Sequence, residues 1–191
     1  MVASRRVDQA VAALCVQRRS VYHGMSGVEA YDIDRDARTF RGGMPVVAHP
    51  PCRGWSNKCR HQAKPLPGER ELGLWCADQV TRFGGVLEQP AHSHLFAAAG
   101  LPIPGQRGGR SDGHWSIEVW QAWWGYPMRK ATWLYVAGVD PRRVEFPFAL
   151  HALGADGRRF QVMSRNQRSA TMPAFAAWLV ELARKSRGGA E

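Results

Sequence analysis

The chain lacks any apolar run of the roughly 18 to 20 residues that a membrane-crossing helix requires. Its first eight residues, Met1 to Asp8, carry no hydrophobic secretory segment. The expectation is a soluble, cytoplasmic protein without a membrane partner. Cysteine is scarce: Cys15, Cys52, Cys59 and Cys76 are too few and too irregularly spaced for a disulfide framework in 191 residues. They are expected as reduced thiols. No internal repeat or low-complexity linker divides the sequence, so residues 1–191 are expected to form one domain. Acidic residues are the minority, 16 Asp and Glu against 26 Lys and Arg, a formal charge of +10. A hydrophobic content of 45% with eight Trp excludes a disordered basic tail. The positive charge must then sit on a folded surface, and it points to an anionic partner, nucleic acid first.

What is present reads as alternating strands and helices. Residues 12–16 are a short apolar run that fits a strand or a helix end equally. Residues 45–48 form a clearer strand, stopped by His49-Pro50-Pro51. Whatever follows lies at the carboxyl edge of a strand, where open α/β sheets bind ligands. Between residues 68 and 83, Leu72, Trp75, Cys76, Val80 and Phe83 recur at helical spacing, and Gly84-Gly85 ends that helix. Val86-Leu87 then reads as a short strand stopping at Glu88-Gln89-Pro90, an order suited to a parallel pair. Residues 100–113 read as a mobile loop, residues 117–121 and 132–137 as strands, and Pro173 opens a last amphipathic helix. The fold class expected is α/β, a Rossmann-like three-layer sandwich with a mostly parallel sheet. Trp115, Trp120, Trp123, Trp124 and Tyr126 fit either base stacking or a strand core, with Trp123 or Trp124 as the exposed one.

The segment richest in chemistry is His49-Pro50-Pro51-Cys52-Arg53-Gly54-Trp55-Ser56. Two prolines fix the backbone and present Cys52 rigidly, while Arg53, Lys58 and Arg60 favour a thiolate; the alternative is a small buried cysteine. If the strands before Cys52 and Glu88 are parallel neighbours, thiol and carboxylate share one crevice, a pair suited to attack on a heteroaromatic ring. Otherwise Glu88 is a cap or an arginine partner. Asp32, Asp34 and Asp36 fit a ribose-binding strand end, a divalent-metal cluster with Glu88, or a solvated turn paired with Arg35 and Arg38. His49, Cys52, Cys59, His61 and Cys76 are soft ligands but match no compact zinc spacing, so no metal is expected. Arg165 and Arg168, ahead of the last helix, fit a phosphate site or a solvated basic surface. With Arg107, Arg110, Arg142, Arg143, Arg158 and Arg159 they would form a basic face.

Over residues 28 to 136 these segments resemble the cytosine carbon-5 DNA methyltransferases. That family's pattern includes Pro-Pro-Cys-x-x-Phe-Ser after one strand, here Pro50 to Ser56, and Glu-Asn-Val after a later one, here Glu88-Gln89-Pro90. Gly125-Tyr126-Pro127-Met128-Arg129-Lys130 is similar to its Gly-x-Pro-Gln-x-Arg segment, and residues 28–37 to the segment where an acidic residue ends the second strand. The resemblance implies Cys52 as nucleophile on ring carbon 6, Glu88 as the acid contacting ring nitrogen 3, and Arg129 holding the base. His49, Pro51, Arg53, Ser56, Gln89 and Lys130 are expected around the substrate, and Arg165 and Arg168, outside the resemblance, are expected to contact nucleic-acid phosphates. The target base would be flipped out or single-stranded. S-adenosylmethionine would be the cofactor, with Asp32 and Asp34 toward its ribose, but the family's glycine-rich loop has no counterpart; the nearest stretch is His23 to Gly27. The function expected is modification of a DNA pyrimidine through Cys52. The alternatives are a metal-dependent or hydrolytic nucleic-acid enzyme using Asp32 to Asp36 with Glu88, and a DNA-binding module that performs no chemistry.

Overall fold

The computed structural model describes residues 9–56, 64–106, 110–111, 113–127, 130–147 and 170–186. In chain order its strands are β1 (Val11–Leu14), β2 (Val28–Tyr31), β3 (Val46–Ala48), β4 (Gly85–Pro90), β5 (Arg110–Ser111), β6 (His114–Trp120) and β7 (Ala131–Ala137). Its helices are α1 (Glu69–Phe83), α2 (Leu95–Ala98) and α3 (Pro173–Arg184). The sequence pattern locates β3, β7, α1 and α3 closely, and the apolar run at 12–16 resolves as a strand over Val11–Leu14, with Cys15 and Val16 beyond its end.

All seven strands join one sheet in the order β2-β1-β3-β4-β7-β6-β5. β2, β1, β3 and β4 are parallel neighbours, whereas β7, β6 and β5 each run antiparallel to the strand before them in that order. Five of the seven strands therefore point the same way. The chain goes from β1 outward to β2 and then returns to place β3 on the other side of β1. Such a reversal leaves a crevice at the carboxyl ends of β1 and β3, the usual ligand position in an open α/β sheet.

β1 and β3 expose no side chain, as strands covered on both faces require. On one face Phe175, Leu179 and Leu182 of α3 pack with Val11, Ala13, Val47 and Val86. On the other, Cys76, Ala77 and Val80 of α1 pack with Ala12, Leu14, Val46 and Leu87. β6 alternates as a strand should, with Trp115 and Val119 buried. Residues 121–124 turn as a 3₁₀ helix, which carries Trp124 inward against Phe175 and Trp178 and leaves Trp123 half-buried beside it.

Three segments differ from the sequence reading. The strand expected over residues 117–121 runs over His114–Trp120, and Gln121 opens the 3₁₀ turn. β4 runs through to Pro90 because β7 pairs with it along its whole length, Gly85 opposite Ala137 and Pro90 opposite Thr132. Glu88 and Gln89 thus lie within a strand, and successive side chains there face opposite sides of the sheet. In the stretch read as a mobile loop, Arg110 and Ser111 pair with Trp115 and His114; residues 107–109 and 112 lie outside the described residues.

The β3–β4 contact is closest at Gly85, whose φ of 117° is open to glycine alone. A Cβ there would overlap the Val46 carbonyl. Gly85→Ala is expected to destabilise the fold by about 3 kcal/mol or more, from backbone strain plus overpacking, as a lowered midpoint in urea unfolding.

Candidate active site

The carboxyl edge of β3 and β4 is built by an abrupt exit from the sheet. The His49 N–H still bonds to the Leu14 carbonyl at 3.0 Å, but Pro50 and Pro51 have no N–H with which to extend the ladder, so the chain turns away. Three anchors hold the loop that follows. The buried Gln89 carboxamide donates to the Pro50 carbonyl at 2.6 Å and accepts from the Ser93 hydroxyl at 3.1 Å. The buried Trp55 indole lies on Gly73 of α1, where a Cβ would come within 2.6 Å of its Nε1. Arg53 pairs with Glu69 in the first turn of α1, and the other oxygen of Glu69 accepts from Leu66 N–H at 2.9 Å. Between these anchors the Cys52 carbonyl accepts from the N–H groups of Trp55 and Ser56 at 3.0 and 2.8 Å. Cys52 itself is exposed on the turn.

Glu88 points to the α3 side and sits in a polar cluster. His49 Nδ1 lies 3.2 Å from Glu88 Oε2, and Gln121 Nε2 donates to Oε1 at 3.1 Å. Gln121 also donates to the Thr132 hydroxyl at 3.0 Å. On the other side of the imidazole, Nε2 lies 2.9 Å from the hydroxyl of the fully buried Tyr22. Burial pushes the Glu88 carboxyl up. The His49 hydrogen bond, the charge of Lys130 and a bond from Thr132 outweigh it, so its pKa lies below the ordinary glutamate value. Burial, reinforced by the Glu88 charge, raises Tyr22 well above the usual tyrosine range.

The structure brings His49 and Glu88 together, with Lys130 supplying charge and its ammonium 5.4 Å from the Tyr126 ring. With a partner on each nitrogen, His49 is not poised as a base for Cys52. Gln89 and Arg53, read as substrate contacts, are instead spent on holding the loop, since Gln89 faces the α1 side and Arg53 reaches Glu69. Pro51 and Ser56 lie on that same turn. Arg129, Arg165 and Arg168 lie outside the described residues, as do Lys58, Cys59, Arg60, His61, Arg107, Arg158 and Arg159. Eleven of the 26 basic residues but only four of the 16 acidic ones fall outside, so the described part is close to balanced, fifteen against twelve. Tyr22, Gln121 and Thr132 were not legible as site residues: each comes from a different element, and only Gln121, a polar residue closing an apolar strand, left a trace.

The acidic run folds as a solvated turn. Asp32 Oδ1 accepts from the N–H groups of Asp34 and Arg35 at 2.8 and 3.0 Å, and Oδ2 lies 3.2 Å from His23. Asp34 takes two bonds from Arg18, at 2.7 and 2.8 Å, and Asp36 caps the next turn. Arg35 pairs with Glu29 at 2.7 Å rather than with this run. Among the described residues no three metal-ligating side chains converge, and the Cys76 thiol faces Cys15 at 3.6 Å.

The residues after β1 do not fit S-adenosylmethionine. In place of a glycine-rich loop and helix stands the single 3₁₀ turn Val21–Gly24. Its Tyr22 packs with the ends of β1 and β3 on the α3 side, and both Asp32 oxygens already have partners. No family model, curated protein or solved structure matches the chain.

A carboxyl held below its ordinary value contributes stability above the unfolded pKa and loses it as pH falls through the folded one. Relative to Glu88→Gln, wild-type stability in urea is expected to stay level above pH 5 and to fall on acidification below about pH 4.3. A difference independent of pH would show that the carboxylate is not held by charge.

Proposed function

We propose that the chain modifies a pyrimidine base of nucleic acid, DNA first, by adding the Cys52 thiolate to ring carbon 6. One observation carries the reading: parallel pairing of β3 and β4 sets His49 level with Glu88, and Cys52 follows three residues later on an exposed, triply anchored turn. A nucleophile and a fixed carboxylate at one sheet edge are the parts that such an addition needs. Lys130, 5.4 Å from the ring of the buried Tyr126, adds a cation of the kind that contacts nucleic-acid phosphates. The same reading takes the sheet as a reduced, methyltransferase-like member of the Rossmann-like class, acting in the cytoplasm.

The addition needs no cofactor. The thiolate electron pair forms the sulfur–carbon 6 bond, and the ring's displaced electrons reach carbon 5, which takes a proton from water. Loss of the original carbon 5 hydrogen and expulsion of the thiolate restore the base with its hydrogen exchanged.

The lack of fit to S-adenosylmethionine favours one second reading, a DNA-binding module that performs no chemistry. Incubation of pyrimidine oligonucleotides in deuterated water separates the two. Wild-type protein is expected to exchange the carbon 5 hydrogen, read as a mass gain in the released base. Cys52→Ser is expected to lose exchange while keeping its melting temperature and its salt-dependent DNA affinity. Unchanged exchange in that variant refutes the nucleophile assignment, and wild-type binding without exchange selects the binding module.

A further inference from the structure

Hydrogen-bond donors ring Glu88: Gln121 Nε2 at 3.1 Å from Oε1, the Thr132 hydroxyl, and His49 Nδ1 at 3.2 Å from Oε2, with Lys130 adding charge. Tyr22 decides which way the His49 contacts run. Its side chain is fully buried, and among the described residues His49 Nε2, at 2.9 Å, is the only hydrogen-bond partner of its hydroxyl. A buried hydroxyl hydrogen without an acceptor costs about 1–3 kcal/mol. Nε2 must therefore accept from Tyr22, so Nδ1 carries the imidazole hydrogen and donates it to Oε2. A second hydrogen on Nε2 would strand that of the phenol.

The chain Tyr22 to His49 to Glu88 thus points one way and has no hydrogen to hand on. Its end is an acceptor-only carboxylate. Three donors take three of the carboxylate's roughly four lone-pair sites, and with 13% of its side chain exposed Glu88 has an opening through which to use the one that remains.

Pyrimidines differ at ring nitrogen 3. Uracil-type rings present an N–H there, whereas cytosine presents a lone pair. Cytosine's amino group does donate to carboxylates, but the neighbouring lone pair then faces the other oxygen. Thiol addition to cytosine also develops charge that a proton on nitrogen 3 must neutralise, and an acceptor-only Glu88 has none to give. We infer that this site takes a pyrimidine bearing hydrogen on ring nitrogen 3, of the uracil type, in preference to cytosine. The inference rests on the reading that a pyrimidine enters this site, and it departs from the cytosine that the family resemblance implies.

Fluorescence anisotropy tests it with single-stranded oligonucleotides that differ only in one deoxyuridine or one deoxycytidine. Wild-type protein is expected to bind the deoxyuridine strand at least about tenfold more tightly. Glu88→Gln presents a donor as well as an acceptor and is expected to bring the two affinities within about threefold. Tyr22→Phe, which frees Nε2 to take a hydrogen, is expected to narrow the preference as well, a change that mere loss of packing does not produce. Equal wild-type affinities, a deoxycytidine preference, or binding to neither strand overturns the inference. A deoxyuridine preference without carbon 5 exchange supports it and removes the Cys52 reading; exchange at cytosine as fast as at uracil does the reverse.

Discussion

Val46, Val47 and Ala48 lie between β1 and β4 without solvent exposure, and their parallel pairing with Gly85, Val86 and Leu87 fixes all that happens at the sheet edge. The pairing is tight because Gly85 adds no side chain against the Val46 backbone. One residue of slip would turn every side chain of β4 to the opposite face. In the register that forms, the next residue of each strand is a polar one, His49 and Glu88, and the two meet.

From there the two-residue period of a strand divides the labour. Glu88 turns to the α3 side, into a cluster of donors contributed by β7, the 121–124 turn and the 3₁₀ turn after β1. Gln89 turns to the α1 side and fastens the Pro50 carbonyl, so the strand that carries the carboxylate also holds the cysteine loop. Burial alone would push the Glu88 pKa up. Convergence of donors and of Lys130 keeps it charged, and a fully buried tyrosine orients the imidazole that closes the cluster.

The surface charge follows a different logic. Arg18, Arg35, Arg53 and Arg142 pair with Asp34, Glu29, Glu69 and Asp140, so much of the cationic charge on the described loops is matched locally. The exposed pairs among these, Arg18–Asp34, Arg35–Glu29 and Arg142–Asp140, contribute little to stability. Their consequence here is that the acidic run after β2 is occupied with turn N–H groups and arginine, with no carboxylate spare for a metal.

Local pattern was enough for the helices α1 and α3, for β3 and β7, and for the prolines that force the chain out of the sheet ahead of Cys52, because helical spacing, β-branched runs and missing N–H groups act within a few residues. The order of elements also suited a parallel pairing of the strand that leads to Cys52 with the strand that carries Glu88, which the structure has. Tertiary structure alone decided that Glu88 lies inside β4, since β7 supplies the pairing that lengthens the strand. It alone decided that Gln89 and Arg53 build the loop, that Thr132 and Lys130 help to hold the carboxyl below its ordinary value, and that Gln121 bonds to Glu88 and Tyr22 to His49. Those partners come from up to 66 residues away on the N-terminal side and from a separate hairpin on the other. A hydrogen bond or a buried charge depends on distance in space, which no spacing along the chain records.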